Sequence, residues 1–160
     1  MPIEFNMGDL SRDKNPDLSA VPAGEYEVKI FVAAEKIGKD GGGWAGRKFL
    51  SIGMDIVNGP MGVDIAHAQS VNTNLLLPNE ALSADAKEYA KEVQKFRDFC
   101  EAFGASTDTF EREDVTLSGD KIYPDLKGLT AFASLVEKKD EEYGLRNEIR
   151  AWVGTRKISY

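Results

Sequence analysis

Hydrophobic and polar positions alternate most cleanly at the two ends of the chain. From Glu25 onward, Tyr26, Val28, Ile30 and Val32 share one face while Glu25, Glu27, Lys29 and Phe31 share the other. That period of two is what a half-buried strand requires. Pro22-Ala23-Gly24 is the turn signal that launches it. Between Lys127 and Val153, two runs rich in apolar and β-branched residues flank a polar segment ending at Gly144, which predicts a β-hairpin. In its second run Leu145, Asn147, Ile149, Ala151 and Val153 fall on one face, and Arg146, Glu148, Arg150 and Trp152 on the other. A lone hairpin is not stable in water, so the chain between the two ends must supply its packing partners.

A second strand is predicted from Arg47 to Asn58, with Lys48, Leu50, Ile52, Met54 and Ile56 alternating with Phe49, Ser51, Gly53, Asp55 and Val57. A turn at Asn58-Gly59-Pro60-Met61-Gly62 leads to a third strand from Val63, whose polar segment Ala66 to Leu76 leaves its register open. The period then changes. Ala86, Tyr89, Ala90, Val93, Phe96, Cys100 and Phe103 recur at three- and four-residue spacing, the apolar stripe of a helix. Ser83 is the expected cap, Asp85 and Glu88 sit near the positive end, and Gly104 is placed to end the helix. Thr107 to Pro124 reads as an acidic connection with room for a short strand near Val115 to Leu117.

Three strands, one helix and two strands make a mostly β chain without βαβ alternation. A five-stranded Greek-key barrel with its helix between the third and fourth strands is the OB-fold. Residues 1–21 read as an irregular N-terminal arm, and residues 22–160 as a single domain. In an OB-fold the loops between strands 1 and 2 and between strands 4 and 5 border the ligand site. Here those are Gly38 to Gly46, a glycine-rich loop expected to be mobile, and Lys138 to Gly144.

Charge sharpens this picture. The 160 residues carry a net charge of −7, which at first argues against a polyanionic partner, but whole-chain charge says little when charges are segregated. Lys36 to Lys48 has a local balance of +3 and Lys138 to Tyr160 of +2, whereas Met1 to Glu35 carries −4 and Leu77 to Lys127 carries −5. The basic residues therefore gather on the two loops and the last strand. No apolar run approaches the roughly 18 residues of a membrane span, and the N-terminus lacks the basic start and apolar core of a signal peptide. With one cysteine, Cys100, and hence no intrachain disulfide, a cytoplasmic protein is expected.

Several stretches resemble a family of small phage-encoded proteins. They are Pro22-Ala23-Gly24-Glu25-Tyr26-Glu27-Val28, Asp55-Ile56-Val57-Asn58-Gly59-Pro60, Phe99-Cys100-Glu101-Ala102-Phe103-Gly104 and Gly144-Leu145-Arg146-Asn147-Glu148-Ile149. The resemblance spans about Val21 to Val153 and its motifs are mostly turns and strand alternation. It implies an OB-fold single-stranded DNA-binding protein acting in phage replication and recombination in the cytoplasm of a host bacterium, with replication or recombination proteins as partners. The chain ends Gly-Thr-Arg-Lys-Ile-Ser-Tyr, without the acidic tail through which many single-strand-binding proteins recruit partners.

Single-strand binding combines a basic groove along the backbone with aromatic faces that stack bases, each stack worth about 1–3 kcal/mol. The candidates for stacking are Trp44, Phe49 and Trp152, with Phe31 and Tyr143 behind them. The candidates for phosphate contact are Lys36, Lys39, Arg47, Lys48, Lys138, Lys139, Arg146 and Arg150. Each has a plainer reading: an aromatic ring buried against the helix or a partner, a lysine guarding a strand edge. Single-stranded DNA or RNA is the expected ligand, to a monomer or homodimer. No cofactor, metal or membrane partner is expected. Enzymatic chemistry is not expected either: His67 is the sole histidine, one Cys and one His cannot close a zinc site, an acid-only nuclease pair such as Asp55 with Asp64 would have to converge across a turn, and no HExxH, GxSxG or P-loop pattern occurs. The competing reading from another class is a protein-interaction or assembly module, with Trp152 and Phe49 buried in a subunit interface.

Overall fold

A computed structural model of the protein describes residues 18–142 and 144–153; Tyr143 and most of the N-terminal arm lie outside them. The chain is mostly β with one main helix. Seven strands, β1 (Gly24–Ile37), β2 (Lys48–Asn58), β3 (Val71–Leu76), β4 (Asp114–Val115), β5 (Lys121–Ile122), β6 (Thr130–Asp140) and β7 (Gly144–Trp152), form one open antiparallel sheet, and α1 (Ala86–Phe103) packs on it.

β1 is the shared strand. It pairs with β2 along nearly its whole length, with β6 over Gly24 to Lys29, and with β5 at Ala34 and Glu35. β3 extends the sheet beyond β2, β7 extends it beyond β6, and β4 closes the short acidic hairpin with β5. Successive antiparallel pairings leave β3 and β7 as edges that run in the same direction. Their Cα atoms approach within 8 Å, but no ladder joins them among the described residues. In place of the five-stranded Greek-key barrel expected from the sequence, the described residues form an open seven-stranded sheet with a seam.

The strand faces follow the predicted alternation until a bulge interrupts it. Tyr26, Val28 and Ile30 are buried as expected, but Phe31 is an extra residue between the rungs Ile30–Met54 and Val32–Gly53. The phase flips there, as a bulge requires. Val32 turns outward at 41% exposure, and Ala33 and Glu35 take the core side opposite Ile52 and Leu50. A bulge in β7 leaves Arg150 without a rung, between Leu135–Ile149 and Ser134–Ala151. Trp152 therefore leaves the face of Arg146 and Glu148 and joins Ile149 and Asn147 on the core side.

The core consists of the inward residues of β1, β2, β3 and β6, together with Leu126, and Phe99, Ala102 and Phe103 of α1. Only the C-terminal half of α1 is buried, so Ala86 and Ala90 of the predicted stripe are exposed. Asp85, rather than Ser83, caps the helix by accepting the Glu88 N–H at 2.8 Å, and Gly104 ends it in a left-handed conformation. The third strand is shorter than expected and begins only at Val71. Residues ahead of β1 are tied down by Asn147. Its Oδ1 accepts from Val21 N–H at 2.9 Å, and its Nδ2 donates to the carbonyls of Val21 and Val136 at 2.9 and 3.3 Å. No helix of the described residues is long and apolar enough to cross a membrane.

Candidate nucleic-acid interface

The outward face of β1, β2 and β3 is built in cross-strand rows: Lys36–Phe49–Leu76, Ala34–Ser51–Asn74 and Val32–Gly53–Asn72. Phe31 lies on this face, where alternation places it, and its ring covers Gly53. A Cβ at position 53 would stand 2.7 Å from Phe31 Cζ, so this placement of the ring depends on glycine. The Trp44 ring lies 5.5 Å from that of Phe49, tilted by 52°, within the range of favourable aromatic pairs. Trp44 remains 37% exposed.

The glycine-rich loop, expected to be irregular and mobile, is braced by its own backbone. Gly38 N–H donates to Arg47 O at 2.8 Å, Gly46 N–H to Gly38 O at 3.2 Å, and Arg47 N–H to Trp44 O at 2.8 Å. The chain passes so close at Gly38 that a Cβ there would sit 1.8 Å from the Trp44 carbonyl oxygen. These bonds hold Trp44 over Phe49.

Arg47 departs from its expected role as an exposed cation. Its side chain is only 11% exposed, with Nη2 2.6 Å from Glu92 Oε1 and 3.2 Å from the Leu77 carbonyl, and Nη1 3.4 Å from Glu92 Oε2. The Ser83 hydroxyl also lies 2.9–3.0 Å from both Glu92 oxygens. The hydrogen bonds from Arg47 hold the Glu92 carboxyl below its ordinary pKa, outweighing the opposing effect of burial. Arg47 thus ties the glycine-rich loop to α1, and its Nε is buried without a partner. The other loop cations, Lys36, Lys39 and Lys48, are exposed.

At the far end of β3 the β6–β7 hairpin carries Lys138, Lys139 and Arg146. They face Asn72, Thr73 and Asn74 across a groove of about 460 Å³. Lys138 pairs with Glu148 at 3.3 Å while both remain largely exposed, so the pair is weak and readily exchanged. Arg150 is exposed at its bulge. Trp152, expected to stack bases or enter a subunit interface, packs edge-on against Phe99 and Phe103 at 5.9 and 5.0 Å. It is half-buried by the chain's own helix. The structure thus brings Trp44, Phe49 and Lys36 together at one end, Lys138, Lys139 and Arg146 at the other, and draws Arg47 and Trp152 inward.

Sequence reasoning missed Asn72, Asn74 and Gly53 on the outer face, and Lys91 and Lys95, which line the depressions between α1 and β3. The only signal for the asparagines was the unusual polarity of the predicted third strand. As for other chemistry, the His67 ring nitrogen Nδ1 lies 2.8 Å from Asp64 Oδ2 on the surface, and this hydrogen bond holds the Asp64 carboxyl low. Burial pushes the Cys100 thiol up, away from the reactive thiolate. No metal-binding cluster occurs among the described residues. No protein-family model matches the chain, and no curated protein or solved structure matches it either.

Proposed function

We propose that the chain is an OB-type single-stranded DNA-binding protein with little sequence preference, protecting single strands in phage replication or recombination, and not an enzyme. The order of elements and the pairing of β1 with both β2 and β6 support an OB-like barrel left open at the β3–β7 seam. The observation that carries the reading is the arrangement around β3. A braced aromatic pair, Trp44 and Phe49, stands at one end, a cationic hairpin stands at the other, and a polar strand edge lies between them. Such a site stacks sequence-tolerant bases and neutralises the backbone, the two requirements of single-strand binding. The exposed part of Trp44 offers a stacking face beside Phe49.

Titration of a fluorescently labelled oligo-dT of about 30 nucleotides, followed by anisotropy at low and moderate salt, tests this against the 4–16 nucleotides that one OB domain covers. Binding that weakens with salt and quenches tryptophan fluorescence is expected, because neutralising phosphates releases counterions. Trp44→Ala should weaken binding by about 1–3 kcal/mol, a factor of roughly 5 to 150. Absence of binding by the wild-type chain at low salt would sink the proposal.

A further inference from the structure

Three depressions adjoin one another along the free edge of β3. The groove under the hairpin shares Thr73, Asn74 and Ile149 with a depression of about 570 Å³ beside α1. That one shares Asn74, Leu75 and Lys95 with a third, of about 380 Å³, which ends at Trp44. Together they make one track from Lys139 to Trp44. β3 forms its floor, β7 one wall at the hairpin end, and α1 one wall at the loop end. Six strand residues at about 3.3 Å each give it a length near 20 Å.

The charges along this track differ from those of the chain as a whole. Seven cations and six carboxylates line it, on a chain whose net charge is −7. Three of the acids are ion-paired, Glu92 with Arg47, Glu88 with Lys91 at 3.4 Å and Glu148 with Lys138 at 3.3 Å, while Asp98 accepts from the neutral Gln94 amide at 2.7 Å and keeps its charge. Lys139, Arg150 and Lys95 have no ion-pair partner among the described residues. The unpaired cations stand at the hairpin, Lys139, and in the middle depression, Lys95 and Arg150, so a polyanion lying along the track would meet positive charge at both places.

We propose that the DNA backbone follows this seam between β3 and β7, and that α1 forms a wall of the channel, with Lys95 and Arg150 contacting phosphates midway between the two loops. This deepens the single-strand reading above and rests on it. The helix, whose region is acidic overall in the sequence, thus contributes directly to binding. The bulge that turns Trp152 inward leaves Arg150 outside the ladder, at the mouth of the middle depression.

The test compares the salt dependence of oligo-dT binding for wild type, for the Lys95→Gln/Arg150→Gln double variant, and for Lys87→Gln/Lys127→Gln. The last pair changes net charge equally at exposed positions off the track. Each lost phosphate contact lowers the steepness of log K against log salt by about 0.7 for single strands, so the track variant should lose about 1.4 and bind more weakly while the control matches wild type. If wild type binds but the two variants behave alike, the α1 wall is overturned and the single-strand reading survives. If wild type does not bind, both fall.

Discussion

The Arg47–Glu92 tie makes a sharp prediction because it separates a structural cation from a phosphate-binding one. Glu92→Met keeps helix propensity but removes both acceptor oxygens from a guanidinium that already has one buried, unpartnered nitrogen. The two side chains are each only 11% exposed, so the stranded charge is poorly solvated, and breaking such a pair costs about 3–5 kcal/mol. For a chain of this size that corresponds to a Tm about 6–20 °C lower, at 2–4 °C per kcal/mol. Arg47→Met/Glu92→Met removes both charges and should lie within about 1 kcal/mol of wild type, because two well-packed apolar side chains replace a buried pair at little net cost. Urea denaturation followed by circular dichroism measures all four corners of the cycle. A depressed carboxylate pKa stabilises above the group's ordinary range and loses that contribution as pH falls through the depressed value. Wild type should therefore lose stability in acid more steeply than the double variant. Costs for Glu92→Met under about 1 kcal/mol, or a double variant as weak as the sum of the singles, would refute the tie. So would a lower salt slope for oligo-dT in the double variant, since Arg47 would then be a phosphate contact.

Three further outcomes follow from the described geometry. Asn147→Ala leaves the buried Val21 N–H and carbonyl unpaired and should cost about 2–4 kcal/mol, with the Val21 amide exchanging much faster by NMR. Gly38→Ala brings a Cβ within 1.8 Å of the Trp44 carbonyl; the loop must open, so oligo-dT affinity should fall toward that of Trp44→Ala while the core melts nearly as before. Burial, with the hydrogen bond to Glu35, pushes the Tyr123 hydroxyl up to about 12. A raised pKa contributes stability below the ordinary tyrosine value that is lost as pH rises toward 12, so Tyr123→Phe should flatten the loss of stability measured between about pH 10 and 11.5.

Where the sequence was legible, a period stayed intact; where it was not, an extra residue or a distant partner intervened. Tyr26 to Ile30 and Leu50 to Ile56 were readable because alternation states which side is buried. The bulge at Phe31 was not, because Val32 continues the apolar pattern with a residue that in fact faces outward. Trp152 was assigned to the wrong face for the same reason at Arg150. A bulge is set by pairing with the neighbouring strand, and one strand's sequence does not contain that pairing. Arg47 and Glu92 are 45 residues apart, so nothing local distinguished this arginine from its exposed neighbours. Lys95 gave no signal because it lies off the apolar stripe of α1, and only the docking of α1 beside β3 places it in the depressions there. The positions of the two loops, between β1 and β2 and between β6 and β7, were legible because glycine and polar composition interrupts the strand alternation there.

The bond between Asn147 and Val21 spans 126 residues, and the pairing of β1 with β6 spans about a hundred. During synthesis, β1 must therefore wait with one edge unpaired until about a hundred further residues have emerged. A chain stopped before β6 would present the Tyr26, Val28 and Ile30 run without its cover, an invitation to pair with another unfinished copy. Completion of the last hairpin is thus the event that commits the first strand, and the chain should show little native protection of β1 in any fragment that ends before Thr130.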